Sequence, residues 1–333
     1  MKKLRIFVFT ILILILGFFL VKNLFLKLQE SQLTISELFW KAANISGFLN
    51  FTLMSIASSV LLVLAAIIIE LFSVGWERCT LRRLMQFRSK SLYNDVISWL
   101  LIQVGLFDFL FLIFTFGFFH YLSSILFHSL DIRIDHYFTN TFILASVVFV
   151  LGDLKNYVFH RIMHLYPFWE LHAFHHSATE FNIFTATRTH FLQKMIAILL
   201  DTIMYALFQV PVTIFIGLTL FDQVLQFLHH SEVNWNLGWI GKWLILSPKA
   251  HRIHHSIDPK HHHKNFGSFL IFWDKLFGTY HYTDERIEIG IMENPYNKNG
   301  YMYDILLGAK NFIVGSLNLF GVGDSLKGWF VKR

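Results

Sequence analysis

Long apolar stretches alternate with short polar ones along most of this chain of 333 residues. About 20 apolar residues cross the ~30 Å hydrocarbon core of a bilayer. The stretch at 48–72 is longer than that, and its first charged residue is Glu70. The stretches at 6–21, 96–119 and 195–220 are also predicted to enter the membrane, the last as a bent span or a short helical hairpin. The end of the chain, 305–330, is predicted to be interfacial.

The stretch at 142–150 continues into the first histidines, and the next proline is Pro167. This pattern predicts one long helix that begins in the bilayer and emerges carrying His160 and His164. Residues 231–281 are polar and rich in Trp, which favours an extramembrane cap. We therefore predict an all-α integral membrane protein, a multi-pass helical bundle with a histidine-rich cytosolic cap. We expect N-terminal membrane helices at 1–130, a histidine-rich domain at 131–290 and a C-terminal interfacial tail at 291–333.

The basic start of the chain, MKKLR, favours an uncleaved first membrane helix over a signal peptide, because no A-x-A-like cleavage site follows the apolar run. The loop that follows residue 72 has the densest positive charge and is predicted to be cytoplasmic. If the chain also begins inside, one of the first two apolar stretches must be re-entrant or interfacial. The pattern leaves this choice open.

Composition supports a membrane protein and limits the classes of partner. Hydrophobic residues make up 55% of the chain, the mean hydropathy is +0.51 and the formal net charge is +6. The basic residues are scattered near segment ends, which favours anionic lipid headgroups and excludes a nucleic-acid surface. Cys79 is the only cysteine, so an intrachain disulfide and a CxxC zinc site are excluded, as suits a reducing compartment.

Histidine is the unusual residue, with 18 copies, and eight of them form three close groups. Residues three or four apart share one helix face, whereas adjacent residues point about 100° apart. Adjacent histidines at 175–176 and 254–255 therefore suit two neighbouring ions better than one. Neutral imidazole binds Fe, Zn, Cu or Ni, and eight histidines exceed what one tetrahedral zinc needs. The groups are His160 and His164; His172, His175 and His176; and His251, His254 and His255.

The other histidines are weaker candidates. His230 is predicted to join the site, whereas ligand roles for His190 and His229 are left open. His261, His262 and His263 are expected in a solvated loop, because three consecutive residues cannot face one ion on a regular element. His120, His128 and His136 are expected to be interfacial or core side chains.

Carboxylates near the histidines are candidates to orient the ligands. Asp153 lies two turns before His160 on the same helix face, where a carboxylate can accept the second imidazole N–H. Asp274 and Glu232 are further candidates for this role.

The histidine motifs resemble those of the fatty acid hydroxylase / sterol desaturase superfamily over roughly residues 142–280. The ending, with Asn265-Phe266-Gly267 and Trp273-Asp274, is similar as well. The resemblance rests on Asp153-x3-Tyr157-x2-His160-Arg161-x2-His164, Leu171-His172-x2-His175-His176-Ser177 and Pro248-x2-His251-Arg252-x-His254-His255.

The segments around Phe181-Asn182 and His230-Ser231-Glu232 look most like the alkylglycerol monooxygenase branch of that superfamily. Two positions depart from this branch. Leu165 stands where the branch has a Glu, and His262 or His263 stands where a carboxylate is usual.

The resemblance implies a fatty acid hydroxylase-like catalytic domain with two iron ions on the cytosolic face of a bacterial inner membrane or the endoplasmic reticulum. Such enzymes use O2 and two electrons to attack a C–H bond of a membrane lipid. A separate electron-donor protein or reductant is expected as a partner, because the chain shows no fused cytochrome b5-like domain. The implied iron ligands are His160, His164, His172, His175, His176, His230, His251, His254 and His255.

Alternatives from other classes are a membrane electron carrier with bis-histidine haems, a zinc-dependent membrane hydrolase and a metal-transport protein. A transporter needs ionisable residues along a path through the spans, and only Asp108 and Asp201 qualify. Hydroxylation and desaturation both begin with hydrogen abstraction, so the motifs do not separate them. The lipid can be a fatty acyl chain, a sterol, a carotenoid or an ether lipid.

Overall fold

The computed structural model describes residues 45–104, 140–208 and 212–320. Within these ranges the regular elements are helices, accompanied by two isolated β-bridges, Ile245 with Leu270 and Ser256 with Ile289. The prediction of a helical protein is thereby confirmed for this part of the chain. The predicted helix at 6–21, most of the predicted span at 96–119, and His120, His128 and His136 lie outside the described residues.

The α-helices are numbered here in chain order, and short 3-10 helices lie at Trp76–Arg78, Ile183–Thr187 and Pro259–His261. They are α1 Ile45–Val74, α2 Thr80–Gln86, α3 Lys90–Val104, α4 Thr141–Met163, α5 Trp169–His176, α6 Phe191–Leu207, α7 Val212–His229, α8 Gly238–Trp243, α9 Pro248–His254, α10 Phe272–Leu276 and α11 Tyr301–Leu319.

Two of these helices are long and apolar enough to cross a membrane, at Ile56–Val74 in α1 and Phe142–Met163 in α4. Only 28% and 22% of these segments are buried inside the protein. Large apolar side chains such as Leu61 and Ile143 are exposed. A core helix of a water-soluble protein would bury most of its apolar residues, so this exposure favours contact with lipid.

Helix α4 is the predicted long helix that leads from an apolar stretch to the first histidines. The Asn140 side chain caps its start by accepting hydrogen bonds from the Phe142 and Ile143 amides. The stretch at 195–220, predicted as a bent span or a hairpin, forms the two helices α6 and α7. Leu144 and Val148 of α4 pack with Met204 of α6 in an apolar cluster that also includes Ile214 of α7.

Segments outside the histidine-rich region pack directly against it. Helix α11 lies along α5, where Gly308 and Gly315 allow close approach. A Cβ atom at Gly308 would lie 3.0 Å from the Glu170 carbonyl oxygen, and one at Gly315 would lie 2.8 Å from Pro167 Cβ. Described residues of the predicted interfacial tail thus also help to hold a histidine-bearing helix.

We expect Gly308→Leu to destabilise the protein by about 1–3 kcal/mol, because the larger side chain overpacks the α5–α11 contact. Gly217→Leu is the matched control, since no heavy atom of the described residues lies within 4 Å of a Cβ built there. Unfolding of both variants in detergent micelles measures the difference. Equal stability of the two variants would contradict the described packing of α11.

Candidate metal centre

Four segments bring the histidines together. Helix α4 supplies His160 and ends at His164, and α5 holds three more in two turns. His230 directly follows α7, and the last three histidines lie on or just after α9. Helix α9 starts here because the Ser247 hydroxyl accepts a hydrogen bond from the Ala250 amide and Pro248 occupies the first turn.

The nine histidines named from the sequence form two adjoining groups, in each of which the nearest ring nitrogens all lie within 4.8 Å of one another. Adjacent histidines fall into different groups, as helical geometry requires. The rings of His176 and His255, one from each group, stack with centroids 4.2 Å apart. The first group is His160, His164, His172, His176 and His254, and the second is His175, His230, His251 and His255.

The distances within each group fit coordination of a single ion. The Nε2 atoms of His172 and His176 are 3.2 Å apart, and Nε2 of His230 is 3.1 Å from that of His175 and 2.9 Å from that of His251. Two nitrogens that each lie about 2.1 Å from one ion are separated by roughly 3.0 Å when their bonds meet at right angles. Each group can therefore hold a metal ion.

Several of these imidazoles are oriented by a hydrogen bond at Nδ1. Backbone carbonyls accept from His160, His175, His230 and His254 over 2.8–3.0 Å, and the acceptors are Phe266, Arg188, Gln226 and Lys264 respectively. His172 Nδ1 lies 3.1 Å from the side-chain oxygen of Gln193. A proton held at Nδ1 leaves Nε2 with its lone pair directed at the group, as metal ligation requires.

Buried nitrogens without partners mark the same positions. Among the described residues, Nε2 of His160, His164 and His254 has no hydrogen-bond partner, and neither ring nitrogen of His255 has one. Buried polar groups are normally paired. Desolvation also lowers the pKa of His175 to about 3. At neutral pH His175 is therefore uncharged, which is the metal-binding form. The donor set fits a metal cofactor.

Asp153 does not hold His160 directly as expected. Its carboxylate instead accepts from the Phe269 and Leu270 amides and from the Trp273 indole N–H, over 2.8–3.0 Å. These bonds fix the loop whose Phe266 carbonyl accepts from His160. The reason is geometric. Asp153 and His160 are two helical turns apart on α4, and this distance is beyond the reach of a short carboxylate.

Asp274 also acts on this loop and not on an imidazole. Its carboxylate accepts from the Phe266 and Gly267 amides, each at 2.8 Å, and from the Thr279 hydroxyl at 2.7 Å. Thr279 in turn lies 2.9 Å from the Tyr157 hydroxyl on α4. A Cβ atom at Gly267 would lie 2.9 Å from Asp274 Oδ2, so the close approach requires glycine.

Glu232 belongs to an ion-pair network behind the second group. Its carboxylate lies 3.2 Å from Arg83 and 3.6 Å from Arg252. Arg83 also donates to the Phe181 carbonyl, and the Phe181 ring contacts His255 with centroids 5.0 Å apart. Glu232 thus supports the second group through Phe181 and the α9 arginine.

The buried ion pair of Arg188 and Asp95 supports the histidine centre and was not predicted from the sequence. Both side chains are fully buried, and their closest atoms lie 2.9 Å apart. Asp95 also accepts from Asn182 and Thr185, and the Arg188 guanidinium donates to the Phe174 carbonyl. The pair therefore joins α3 to α5, and the Arg188 carbonyl orients His175. A charged residue within an apolar helix is the only local signal for Asp95.

The remaining histidines have other partners. His190 Nε2 lies 2.9 Å from the Ile305 carbonyl and its Nδ1 accepts from the Leu192 amide, so both nitrogens are used. His229 Nε2 lies 3.0 Å from the Leu246 carbonyl, and neither residue joins the two groups. His262 and His263 are exposed as predicted. His261 is buried, which contradicts the prediction of a solvated loop, because Ser256 binds its Nδ1 at 2.8 Å.

A cavity of about 360 Å³ adjoins both groups. It lies between α4, α6 and α7 and the loop at 267–269, and its wall includes His160, His172, His175, His230 and His251. Its volume lies within the range of pockets that hold small organic molecules. The site therefore combines a histidine centre with space for a substrate beside it.

Comparisons with known proteins show what this chain is similar to. Residues 145–279, which include all nine histidines, match the fatty acid hydroxylase family model. This match confirms the resemblance to the fatty acid hydroxylase / sterol desaturase superfamily. No solved structure matches the chain.

Individual relatives support the resemblance to the alkylglycerol monooxygenase branch. Alkylglycerol monooxygenase of Xenopus tropicalis is 30% identical over 186 residues, which cover 53% of this chain and 41% of the relative. The Caenorhabditis elegans protein of the same name is 31% identical over 54% of this chain and 38% of its own length. Ornithine lipid hydroxylase OlsE of Rhizobium tropici is 31% identical over 40% of each chain. The chain thus spans well under half the length of these relatives.

We expect Asp95→Ala to lower the stability by about 3–5 kcal/mol, because it leaves the Arg188 guanidinium buried without its counter-charge. Asp284→Ala is the control. Asp284 pairs with Lys249, but its side chain is 86% exposed, and exposed pairs contribute only about 0–1 kcal/mol. Chemical unfolding in detergent compares the two. A loss at Asp95 no larger than that at Asp284 would contradict the assigned role of the buried pair.

Proposed function

We propose that this protein is an O2-dependent lipid hydroxylase whose nine histidines bind two iron ions. The observation that supports this most directly is the pair of adjoining all-histidine groups. A single structural or hydrolytic zinc takes three or four protein ligands in a tetrahedron, whereas the two adjoining groups together offer nine. Bis-histidine haems need isolated ligands on facing helices, which is a different arrangement from two compact groups.

The choice of iron rests on the family match and on the donor chemistry. Imidazole suits iron, copper, nickel and zinc alike, and the matched family is that of the fatty acid hydroxylases. The bound irons would supply the oxidising chemistry with O2 that attacks a C–H bond. The two groups assign five histidine ligands to one iron and four to the other.

The chain's own contribution is to orient the ligands, exclude water and position the substrate. Backbone carbonyls hold four imidazoles at Nδ1, which keeps the ligand geometry fixed during turnover. Burial of His172, His175 and His176 keeps bulk water away from the centre. The adjoining cavity would place the reacting carbon next to both groups.

We propose a multi-pass membrane protein with the centre on the cytosolic side, within a catalytic domain at 131–290. The basic loop after α1 supports this orientation. Arg83 of that segment contacts Phe181 and Glu232 beside the histidine centre, so the loop and the centre lie at the same end of the helices. Positively charged loops are retained in the cytoplasm.

The proposed substrate is a membrane lipid. The names of the relatives refer to alkylglycerol and to ornithine lipid, which are both lipids with polar heads. Oxidation of a C–H bond with O2 requires two electrons, which we assign to a separate donor protein. A substrate from lipid also fits the exposed apolar surfaces of α1 and α4.

Metal analysis tests the ligand assignment. We expect His254→Ala and His175→Ala, one in each group, to lower bound iron to about half of the wild-type content or less, because each removes a ligand. His262→Ala, which changes an exposed histidine outside both groups, is expected to keep the iron. Full iron content in both group variants would refute the assignment.

A lipid extract tests the activity. The purified, iron-loaded protein with isotopically labelled O2 and a chemical reductant is expected to produce a lipid that contains one labelled oxygen atom. Product formation should stop without O2 and in the His254→Ala variant. Turnover of a lipid without O2, or with zinc alone in the protein, would overturn the proposal in favour of a hydrolase.

A further inference from the structure

The wall of the cavity beside the centre changes in polarity with distance from the histidines. Positions along α4, α6 and α7 give the order of these changes. An α-helix rises 1.5 Å per residue, so eight residues span about 12 Å. Gly152 precedes His160 by eight residues on α4, and Asp222 precedes His230 by eight on α7. On α6, Asp201 follows Gln193, which contacts His172, by eight residues. All three helices therefore reach the same level roughly 12 Å from the histidines.

This level is charged. Asp201 of α6 pairs with Lys155 of α4, and the cavity wall includes both Asp201 and Asp222 of α7. The Ser268 hydroxyl donates to Asp222 Oδ1 at 3.2 Å, and the Gln226 amide donates to the same oxygen at 3.4 Å. We refer to Lys155, Asp201 and Asp222 as the charged layer.

Beyond the charged layer the cavity becomes apolar. Phe149 of α4 and Met204 of α6 lie three residues further from the centre on their helices, about 16 Å from the histidine end. Val148 and Leu218 extend this wall, and all four residues line the cavity. The apolar end can therefore accept hydrocarbon, whereas the part nearer the histidines cannot be covered by hydrocarbon without burying polar groups.

Between the charged layer and the histidines the wall is mixed, because Phe159, Ala197 and Leu225 line it together with polar side chains. Asn156 lies one turn before His160, and Gln226 lies one turn before His230. These polar side chains can bind polar atoms of a lipid headgroup near the metal centre.

The charges of the layer do not balance. Lys155 supplies one positive charge against the two carboxylates. Asp153, the third carboxylate of the cavity wall, has its oxygens bound to N–H donors of the loop, and Lys194 lines the wall beside Gln193 at the histidine end. The hydrogen bonds that described residues give Asp222 come from neutral groups and reach only Oδ1.

From this arrangement we propose that Asp222 and the charged layer bind a protonated amine in the headgroup of the lipid substrate, with its acyl chain in the apolar end of the cavity. The proposal rests on the proposed lipid-hydroxylase function and specifies the substrate class. The amine supplies the positive charge and the N–H donors that a second buried carboxylate needs. The bond to be oxidised then lies on the headgroup side of the lipid.

Three single-chain probes with the same alkyl chain test this proposal: hexadecylamine, hexadecanol and hexadecanoate. Their apparent Kd values can be measured from the thermal stabilisation of the iron-loaded protein in detergent, since a ligand stabilises the state it binds. We expect hexadecylamine to bind about tenfold more tightly than the other two, as expected for one close charge pair. Equal or tighter binding of hexadecanol or hexadecanoate would overturn the amine assignment.

Two substitutions and a control assign the effect to the charged layer. Asp222→Asn keeps the shape of the side chain and is expected to remove most of the preference for the amine. Lys155→Met removes the competing cation and should increase the preference. Asp284→Asn changes an exposed carboxylate of the cap in the same way and should leave the preference unchanged. An unchanged preference in both layer variants, with iron content retained, would refute the proposal.

This binding assay needs neither O2 nor an electron donor, so its outcome is separate from that of the hydroxylation assay. Amine-selective binding without oxidation would retain the headgroup site and reject the proposed activity. Oxidation of lipids with no amine selectivity would retain the activity and reject the headgroup site.

Discussion

The structure depends on packing nine imidazoles into a buried region while giving their ring nitrogens hydrogen-bond partners or a metal ion to bind. A buried polar atom that lacks a partner costs roughly 1–3 kcal/mol. The chain meets this constraint by placing backbone carbonyls at Nδ1 and directing the opposite nitrogens toward one another at 2.9–3.2 Å. Desolvation lowers the pKa of rings such as His175, which favours the uncharged form. Among the described residues, Nε2 of His160, His164 and His254 is left without a partner and is available to an ion, whereas Nδ1 of His251 is also unpaired although its Nε2 faces His230.

Keeping those carbonyls in place requires segments that are distant in sequence. The loop whose Phe266 carbonyl orients His160 is held by Asp153 on α4 and by Asp274 on α10. The Arg188 carbonyl that orients His175 is held through the buried pair with Asp95 on α3. Asp95 lies outside the region that matches the family, residues 145–279. Helix α3 therefore stabilises the centre from outside the matched region.

Local patterns predicted the elements and the clustering of the nine histidines, whereas their role as ligands stays a prediction. Apolar runs indicated α1, α4, α6 and α7, and the spacing of adjacent histidines indicated two groups, because helical geometry fixes which neighbours share a face. Partners in space were harder to predict. Asp153 was predicted to accept from an imidazole, but it accepts from N–H groups of residues 269–273. Asp95 was not identified, because its partners lie in the distant segment 182–188. His261 is buried and its Nδ1 is bound by Ser256, five residues earlier. The run of three consecutive histidines did not indicate this contact.

The most direct test of the central claim is X-ray absorption at the iron edge of the iron-loaded protein. We predict a first shell dominated by nitrogen, with the multiple scattering of several imidazoles per iron, and a second iron atom as a neighbour. Such a spectrum would support one iron in each of the two histidine groups. A spectrum of isolated iron ions, of sulfur ligands or of a porphyrin would contradict the account.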